Sequence, residues 1–371
     1  MVINTVVRMV YPFLPAFGRG LGVDLWLLSF AVTLRSSAGV VGPFLASVAD
    51  SRGRKAGMLF GVGLFTLGVG LITVWPAYPA FVLALLLTIL GNFVFIPSMQ
   101  AYLGDRVAYQ QRGRVLGLTE LGWSLSFILG VPLAGFLIAR AGWNAPFPIL
   151  TGLGVLALAG LAWLLPKDPV PEHNRPSLWQ NLSRVFRSAP ALAGLLMGIS
   201  FSAGNELVNL IFGVWMEASF GLQIAALGAA SAVIGISELG GESLASGLTD
   251  WLGKPRAVAA GLVLNSLAAL GLPLLGQSAA GAVTGLFLFY LTFEFTLVSS
   301  IPLMTEILPA SRATLMATYV AGLSVGRAFG DLLAPPLFTW GMLAIAVGAT
   351  LFNLVALLAL NRLKQGIGDK G

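Results

Sequence analysis

Twelve runs of predominantly apolar residues, separated by short charged or glycine-containing turns, fill this chain from end to end. They lie near 2–17, 25–49, 57–75, 80–103, 115–139, 147–165, 191–215, 224–248, 258–275, 279–304, 314–339 and 342–360. Most approach the ~20 residues that a helix needs to cross a ~30 Å hydrocarbon core. In lipid a spanning segment must satisfy its own backbone, so the runs predict helices. The fold class is therefore all-α: a membrane protein of twelve transmembrane helices. Hydrophobic residues make up 57% of the chain and charged residues 10%, against roughly 25% charged in a soluble domain. The 46 glycines suit helices packed closely in lipid. The first run is not expected to be a signal peptide, since it lacks a basic leader, Arg8 lies inside it, and Pro12 and Pro15 stand where small residues would precede a cleavage site.

Basic residues fix the expected orientation. Alternate loops and the C-terminal tail on one side carry sixteen of them, from Arg52 to Lys370, whereas the opposite connections carry Arg19 and Arg140. Both termini are thus expected in the cytoplasm, with the chain integral to the cytoplasmic (inner) membrane. The net charge of +6 sits in these turns and not on one face, which argues against nucleic acid. Cysteine is absent and the single histidine, His173, lies in a Pro-rich connection. Thiolate or histidine metal sites are excluded, and no P-loop for ATP appears.

The longest connection, 166–190, divides the chain into halves of six spans, 1–165 and 191–371. It contains a short amphipathic segment with Leu178, Leu182, Val185 and Phe186 on one face and Arg184 and Arg187 off it, expected to lie on the inner leaflet. The halves echo one another. Asp50 and Gly53 recur as Asp250 and Gly253, an offset of 200 (250 − 50), and Ile96-Pro97-Ser98-Met99 recurs as Ile301-Pro302-Leu303-Met304. Such internal repetition is typical of secondary transporters.

The turn Asp50-Ser51-Arg52-Gly53-Arg54-Lys55 resembles the signature loop of the major facilitator superfamily. Asp105 with Arg112-Gly113-Arg114 after span four, and Gly142-Trp143-Asn144-Ala145-Pro146-Phe147 before span six, are similar to that family as well. Ala46 and Ser51 depart from its pattern, where glycine and a basic residue are usual. The resemblance implies two pseudo-symmetric six-helix halves and a conformational latch built from Asp50, Arg52, Gly53, Arg54, Lys55, Asp105, Arg114 and, more weakly, Asp250. The chain further resembles the twelve-span drug–proton antiporter branch. Its span four, however, carries only Asn92 and no charge, and Gly130-Val131-Pro132-Leu133-Ala134-Gly135 in span five is out of that branch's register.

Ionisable residues inside spans cost a few kcal/mol each, so each is a functional candidate. Glu206, near Asn205 and Asn209, and Glu294 are the foremost proton-coupling candidates; Glu238, Glu242 and Asp331 follow. An ionised carboxylate is costly in an apolar span and a protonated one is not, as a proton carrier requires. Arg327 and Asp331, four apart, are an alternative static pair. Arg8 and Arg35 either receive an anionic group of the cargo beside Tyr11 or hold one half together through carboxylates. Trp123, Trp215, Phe289, Tyr290 and Phe293 line an apolar cavity or belong to the core; Asn205 and Arg327 join the cavity candidates. The expected activity is secondary transport, not catalysis: alternating access, export of small amphipathic organic compounds, a proton gradient as drive and no cofactor. A lipid or lysophospholipid flippase and a metabolite uptake symporter are the alternatives. Membrane lipids and a small-molecule substrate are the expected partners, and a monomer the expected state.

Overall fold

The structure, a computed structural model, describes residues 1–42, 44–45, 53–107, 119, 121–166 and 178–368. Among them every regular element is helical. The first six spans are α1 (Val2–Leu21), α2 (Leu25–Ser37, continued by a 3-10 turn over Ala38–Val41), α3 (Arg54–Val74), α4 (Tyr78–Arg106), α5 (Leu121–Ala141) and α6 (Pro146–Leu164). The connecting helix α7 covers Leu178–Arg187. The last six are α8 (Ala189–Phe220), α9 (Ile224–Leu252), α10 (Lys254–Leu275), α11 (Ala279–Ile307), α12 (Arg312–Phe338) and α13 (Met342–Gly368). Nine of these are long and apolar enough to cross a membrane by composition alone. The others are α1 and α12, which carry charges inside, and α2, which is short. Several helices outrun the expected spans, α13 reaching Gly368 and not Leu360. Polar turns outside the hydrocarbon continue the helix because their backbone remains bonded.

The chain divides into two compact units, one of residues Met1–His173 with Leu222–Ala232, the other of Asn174–Gly221 with Val233–Gly371. The first unit is built on α1, whose residues from Ile3 to Leu14 are all buried. Helix α3 packs against α4 and α6. At the crossing of α3 and α4 an added Cβ on Gly61 would stand 2.6 Å from the Gly91 carbonyl and 2.9 Å from the Phe95 Cβ. Close backbone approach of this kind holds helices together where lipid offers no hydrophobic drive. At one end Phe17 meets Phe81, Trp143 and Phe147 at ring distances of 5.2, 6.3 and 6.3 Å. The Trp143–Phe147 motif is thus a packed corner. The second unit is built on α8, flanked by α12 and α13. Asn265 donates to the Phe289 carbonyl at 2.8 Å and accepts from Asn353 at 2.8 Å, clasping α10, α11 and α13.

Duplication is visible in the backbone. Among the described residues, the six glycines with positive φ fall into three pairs: Gly22 with Gly221, Gly53 with Gly253, and Gly142 with Gly341. Gly53 (φ 96°, ψ 152°) and Gly253 (φ 81°, ψ 132°) occupy equivalent turns before α3 and α10. An L side chain is strained there, so the repeated glycine is a geometric requirement. The packing repeats too. Gly61 lies against Phe95, and Gly261 lies against Phe295, with both partners shifted by 200 (261 − 61; 295 − 95).

Large apolar side chains cover the outside: Trp163 is 90% exposed and Trp340 81%. Surfaces of this kind are stable in lipid and not in water. Tryptophans such as Trp75, Trp163, Trp251 and Trp340 stand at or beside helix ends, as at a membrane interface.

Candidate functional site

In the first unit, Arg8 of α1 and Arg35 of α2 are both buried. Arg35 donates to the Val7 carbonyl at 2.9 Å and to the Tyr11 hydroxyl, with its guanidinium 5.0 Å from the Tyr11 ring. Val7 and Tyr11 are one turn apart and therefore present one face to it. Arg8 lies over Trp123 and Phe127, at 4.4 and 3.6 Å from the ring centroids, and donates to the Trp123 carbonyl at 3.2 Å. The same carbonyl accepts from Ser126 at 2.5 Å. A π turn over Ser126–Gly130 begins just beyond it. Such turns loosen the regular i→i+4 pattern and recur at functional sites. Thr5 packs against Gly130, where a side chain would collide. The structure thus brings Arg8, Tyr11, Arg35 and Trp123 together as one cationic and aromatic cluster.

In the second unit the carboxylates lie on helix contacts. Glu206 sits on α8 and is 1% exposed. Asn209, one turn on, donates its amide to both Glu206 oxygens at 3.3 Å. The Tyr290 hydroxyl of α11 donates to Asn209 Oδ1 at 2.8 Å. Donor and acceptor run one way through this chain: phenol to amide carbonyl, amide nitrogen to carboxylate. Helix α12 presses its Gly330 against Glu206, where an added Cβ would stand 2.6 Å from Glu206 Cβ and 2.6 Å from the Ala203 carbonyl. Asp331, next along, is fully buried, while Arg327 is half-buried. Ser202 reinforces the contact by donating to the Leu323 carbonyl at 2.9 Å. Gly326 and Gly330 form a Gly-x-x-x-Gly pair on α12, a sequence signal for the α8–α12 packing that the charges alone do not give.

Glu294 is buried on α11, and Gly241 of α9 approaches it so closely that a Cβ there would lie 2.8 Å from Glu294 Cβ. Glu238 is buried and Glu242 half-buried on either side of that glycine. Asn205 is buried beside Glu206 in sequence, and among the described residues its Oδ1 has no hydrogen bond. Phe289 and Trp215 are core: Phe289 is fully buried against Tyr290, and Trp215 meets Phe220 edge-on at 6.0 Å. Phe293 packs at 6.0 Å from Phe201.

Of the latch candidates, Asp50, Arg52 and Arg114 lie outside the described residues, as does the side chain of Asp105. Gly53 makes the turn into α3 and Arg54 is half-buried at its start. Lys55, next to it, reaches across to α6. Its ammonium donates to the Ala162 and Leu165 carbonyls at 2.7 and 2.5 Å, closing the end of α6. A cation at a helix C-terminus is favoured by the orphan carbonyls there. Asp250 is exposed at the end of α9. Four residues later, Lys254 pairs with Glu306 at the end of α11.

Comparison with known proteins gives the family. The sequence profile described as Major Facilitator Superfamily matches residues 1–331. An uncharacterized MFS-type transporter of Bacillus subtilis (strain 168), YceJ, is 27% identical over 347 residues, covering 90% of this chain and 85% of its own. The quinolone resistance protein NorA of Staphylococcus aureus (strain MRSA252) is 25% identical over 213 residues, 55% of this chain and 54% of its own. Among solved structures, the peptide transporter POT in complex with alafosfalin superposes with a TM-score of 0.81 at 14% identity, covering 98% of this chain and 92% of that one. A bacterial homolog of the human lysosomal transporter Spinster gives 0.74 at 15% identity, covering 98% and 95%. These structural likenesses speak for the fold. With apolar helices of spanning length, a lipid-compatible exterior and a profile reaching from residue 1 to residue 331, the chain belongs to the Major Facilitator Superfamily and is a multi-pass membrane transporter, not an enzyme.

Proposed function

We propose that the protein exports small amphipathic organic compounds by alternating access, driven by proton exchange, with both termini in the cytoplasm. The observation that carries the coupling is Glu206. It is a carboxylate enclosed in the central helix of the second unit, held by Asn209, which is itself held by Tyr290 of another helix. A neutral carboxylate is tolerated inside an apolar span and an ionised one is costly there, which is the general property a proton carrier uses. Glu294, buried on α11 against α9, is the second member of the coupling set. The cationic and aromatic cluster of Arg8, Tyr11, Arg35 and Trp123 supplies the contrasting chemistry of the first unit: planar stacking surfaces and fixed positive charge. The drug-resistance names among the relatives, quinolone resistance for NorA and multidrug resistance for fnx1 of Schizosaccharomyces pombe, support an amphipathic cargo.

The test is flux in proteoliposomes with and without an imposed pH gradient, on the native chain, Glu206→Gln and Glu294→Gln. At least one variant should lose gradient-driven accumulation while retaining exchange of labelled for unlabelled cargo. Gradient-driven accumulation at the native level in both variants removes the carboxylates from the mechanism.

A further inference from the structure

The connecting helix α7 divides its apolar face between two environments. Val185 is fully buried in the second unit, in a cluster with Ala191, Leu195, Met304, Leu315 and Tyr319. The next residue, Phe186, is 56% exposed, and Arg184 and Arg187 on either side of it are exposed as well. Residues 184 and 187 are three apart and share a helix flank, adjacent to the arc that carries Phe186. The helix contains no acidic residue. It packs against α8, α12 and the 3-10 turn Pro309–Ser311. Arg312, which follows that turn at the start of α12, is also exposed, its Nε fixed by the Thr305 carbonyl at 2.9 Å.

Val185 already anchors α7 to the protein, so packing does not account for the outward phenylalanine. Its flanking charges point to what covers it. We infer that this face of α7 is a docking surface for anionic phospholipid headgroups of the cytoplasmic leaflet. Phe186 would sit at the boundary of headgroup and acyl chain, with Arg184 and Arg187 on the phosphates. Amphipathic helices with basic flanks bind in this manner, and arginine forms paired hydrogen bonds to phosphate. Charge complementarity decides the occupant, since each basic residue at an anionic leaflet adds about 1 kcal/mol. The surface rests on the cytoplasmic placement of the termini proposed above and does not depend on the proposed cargo.

The experiment is thermal unfolding of the full-length protein in a neutral detergent, titrated with phosphatidylglycerol and, in parallel, phosphatidylcholine. The native chain should be stabilised by phosphatidylglycerol selectively, and the effect should weaken when salt is raised. Arg184→Gln/Arg187→Gln should need about 30-fold more phosphatidylglycerol for the half-maximal shift, the equivalent of two such arginines. Phe186→Ser should weaken the response of the charged lipid without abolishing its selectivity. Arg140→Gln serves as control: this exposed arginine also lies over a phenylalanine, Phe136 at 4.4 Å, but at the end of α5. Equal half-maximal concentrations in the double variant and the native chain overturn the proposal. So does a native chain indifferent to phosphatidylglycerol, the result expected if a cytosolic protein and not lipid covers the face.

Discussion

Gly330→Ala tests the contact on which the carboxylate site is built. A Cβ at this position would stand 2.6 Å from the Ala203 carbonyl oxygen and 2.6 Å from Glu206 Cβ, where ordinary contact begins at 3.4 Å. Neither neighbour is the free end of a flexible side chain. Helices α8 and α12 must therefore part locally by ~0.8 Å (3.4 − 2.6). Overpacking of this order costs about 1–3 kcal/mol. A rigid parting would also stretch the Ser202–Leu323 bond, now 2.9 Å, beyond hydrogen-bonding range, at about 1 kcal/mol. Against this stands the better helix propensity of alanine, about 1 kcal/mol. The net expectation is a loss of about 1–3 kcal/mol.

The assay is thermal unfolding in one detergent, with Gly152→Ala as the reference. Gly152 lies in α6 with nothing within 4 Å of an added Cβ, so that variant should equal or slightly exceed the native stability. Because Glu206 rides on the displaced surface, gradient-driven flux per folded molecule should fall in Gly330→Ala as well. A Gly330→Ala protein as stable and as active as Gly152→Ala would refute the claim that backbone contact at Gly330 positions Glu206.

Two further outcomes are expected. Tyr290→Phe removes the donor to Asn209 Oδ1 and leaves a buried acceptor unsatisfied at about 1–3 kcal/mol; melting should report the loss, and gradient-driven flux should drop more than cargo exchange. Lys55→Met removes the cation that closes the end of α6, worth about 0.3–1 kcal/mol; proteolysis after residue 165 should quicken while the melting midpoint hardly moves.

The layout of the helices was legible because length and hydropathy suffice to specify a span, and the Asp50/Asp250 echo disclosed the duplication. Two of the three glycine turn pairs went unread: Gly22 and Gly221 carry no charged neighbours that recur, so only their backbone angles reveal the match. The π turn at Ser126–Gly130 was equally invisible, since an i→i+5 turn has no residue signature and this one is defined by what Arg8 and Thr5 place beside it. Phe289 and Trp215 show a different limit. An aromatic residue in a span reads the same whether it faces a cavity, lipid or another helix, and tertiary packing assigned both to the core. Asn209 stood three residues from Glu206 in plain view, but its importance comes from Tyr290, a residue 81 positions away.

What the duplication preserved and what it did not separates scaffold from chemistry. The offset of 199 that relates Gly22 to Gly221 places Glu206 opposite Val7 and Arg8 opposite Leu207. The turn glycines and the Gly61–Phe95 and Gly261–Phe295 contacts recur because the geometry of each half demands them. The charges on the two central helices do not recur, so the fold does not require them. A buried charge that the scaffold can do without still costs a few kcal/mol. Its presence on α1 as a cation and on α8 as a carboxylate is therefore best accounted for by work that each half performs separately. In the first unit Val7 offers its carbonyl to Arg35; in the second the equivalent position carries the carboxylate itself. One repeat position has thus become part of a fixed cationic cluster in one half and of a hydrogen-bonded acid in the other. That divergence, more than either residue alone, directs the transport experiments to Glu206.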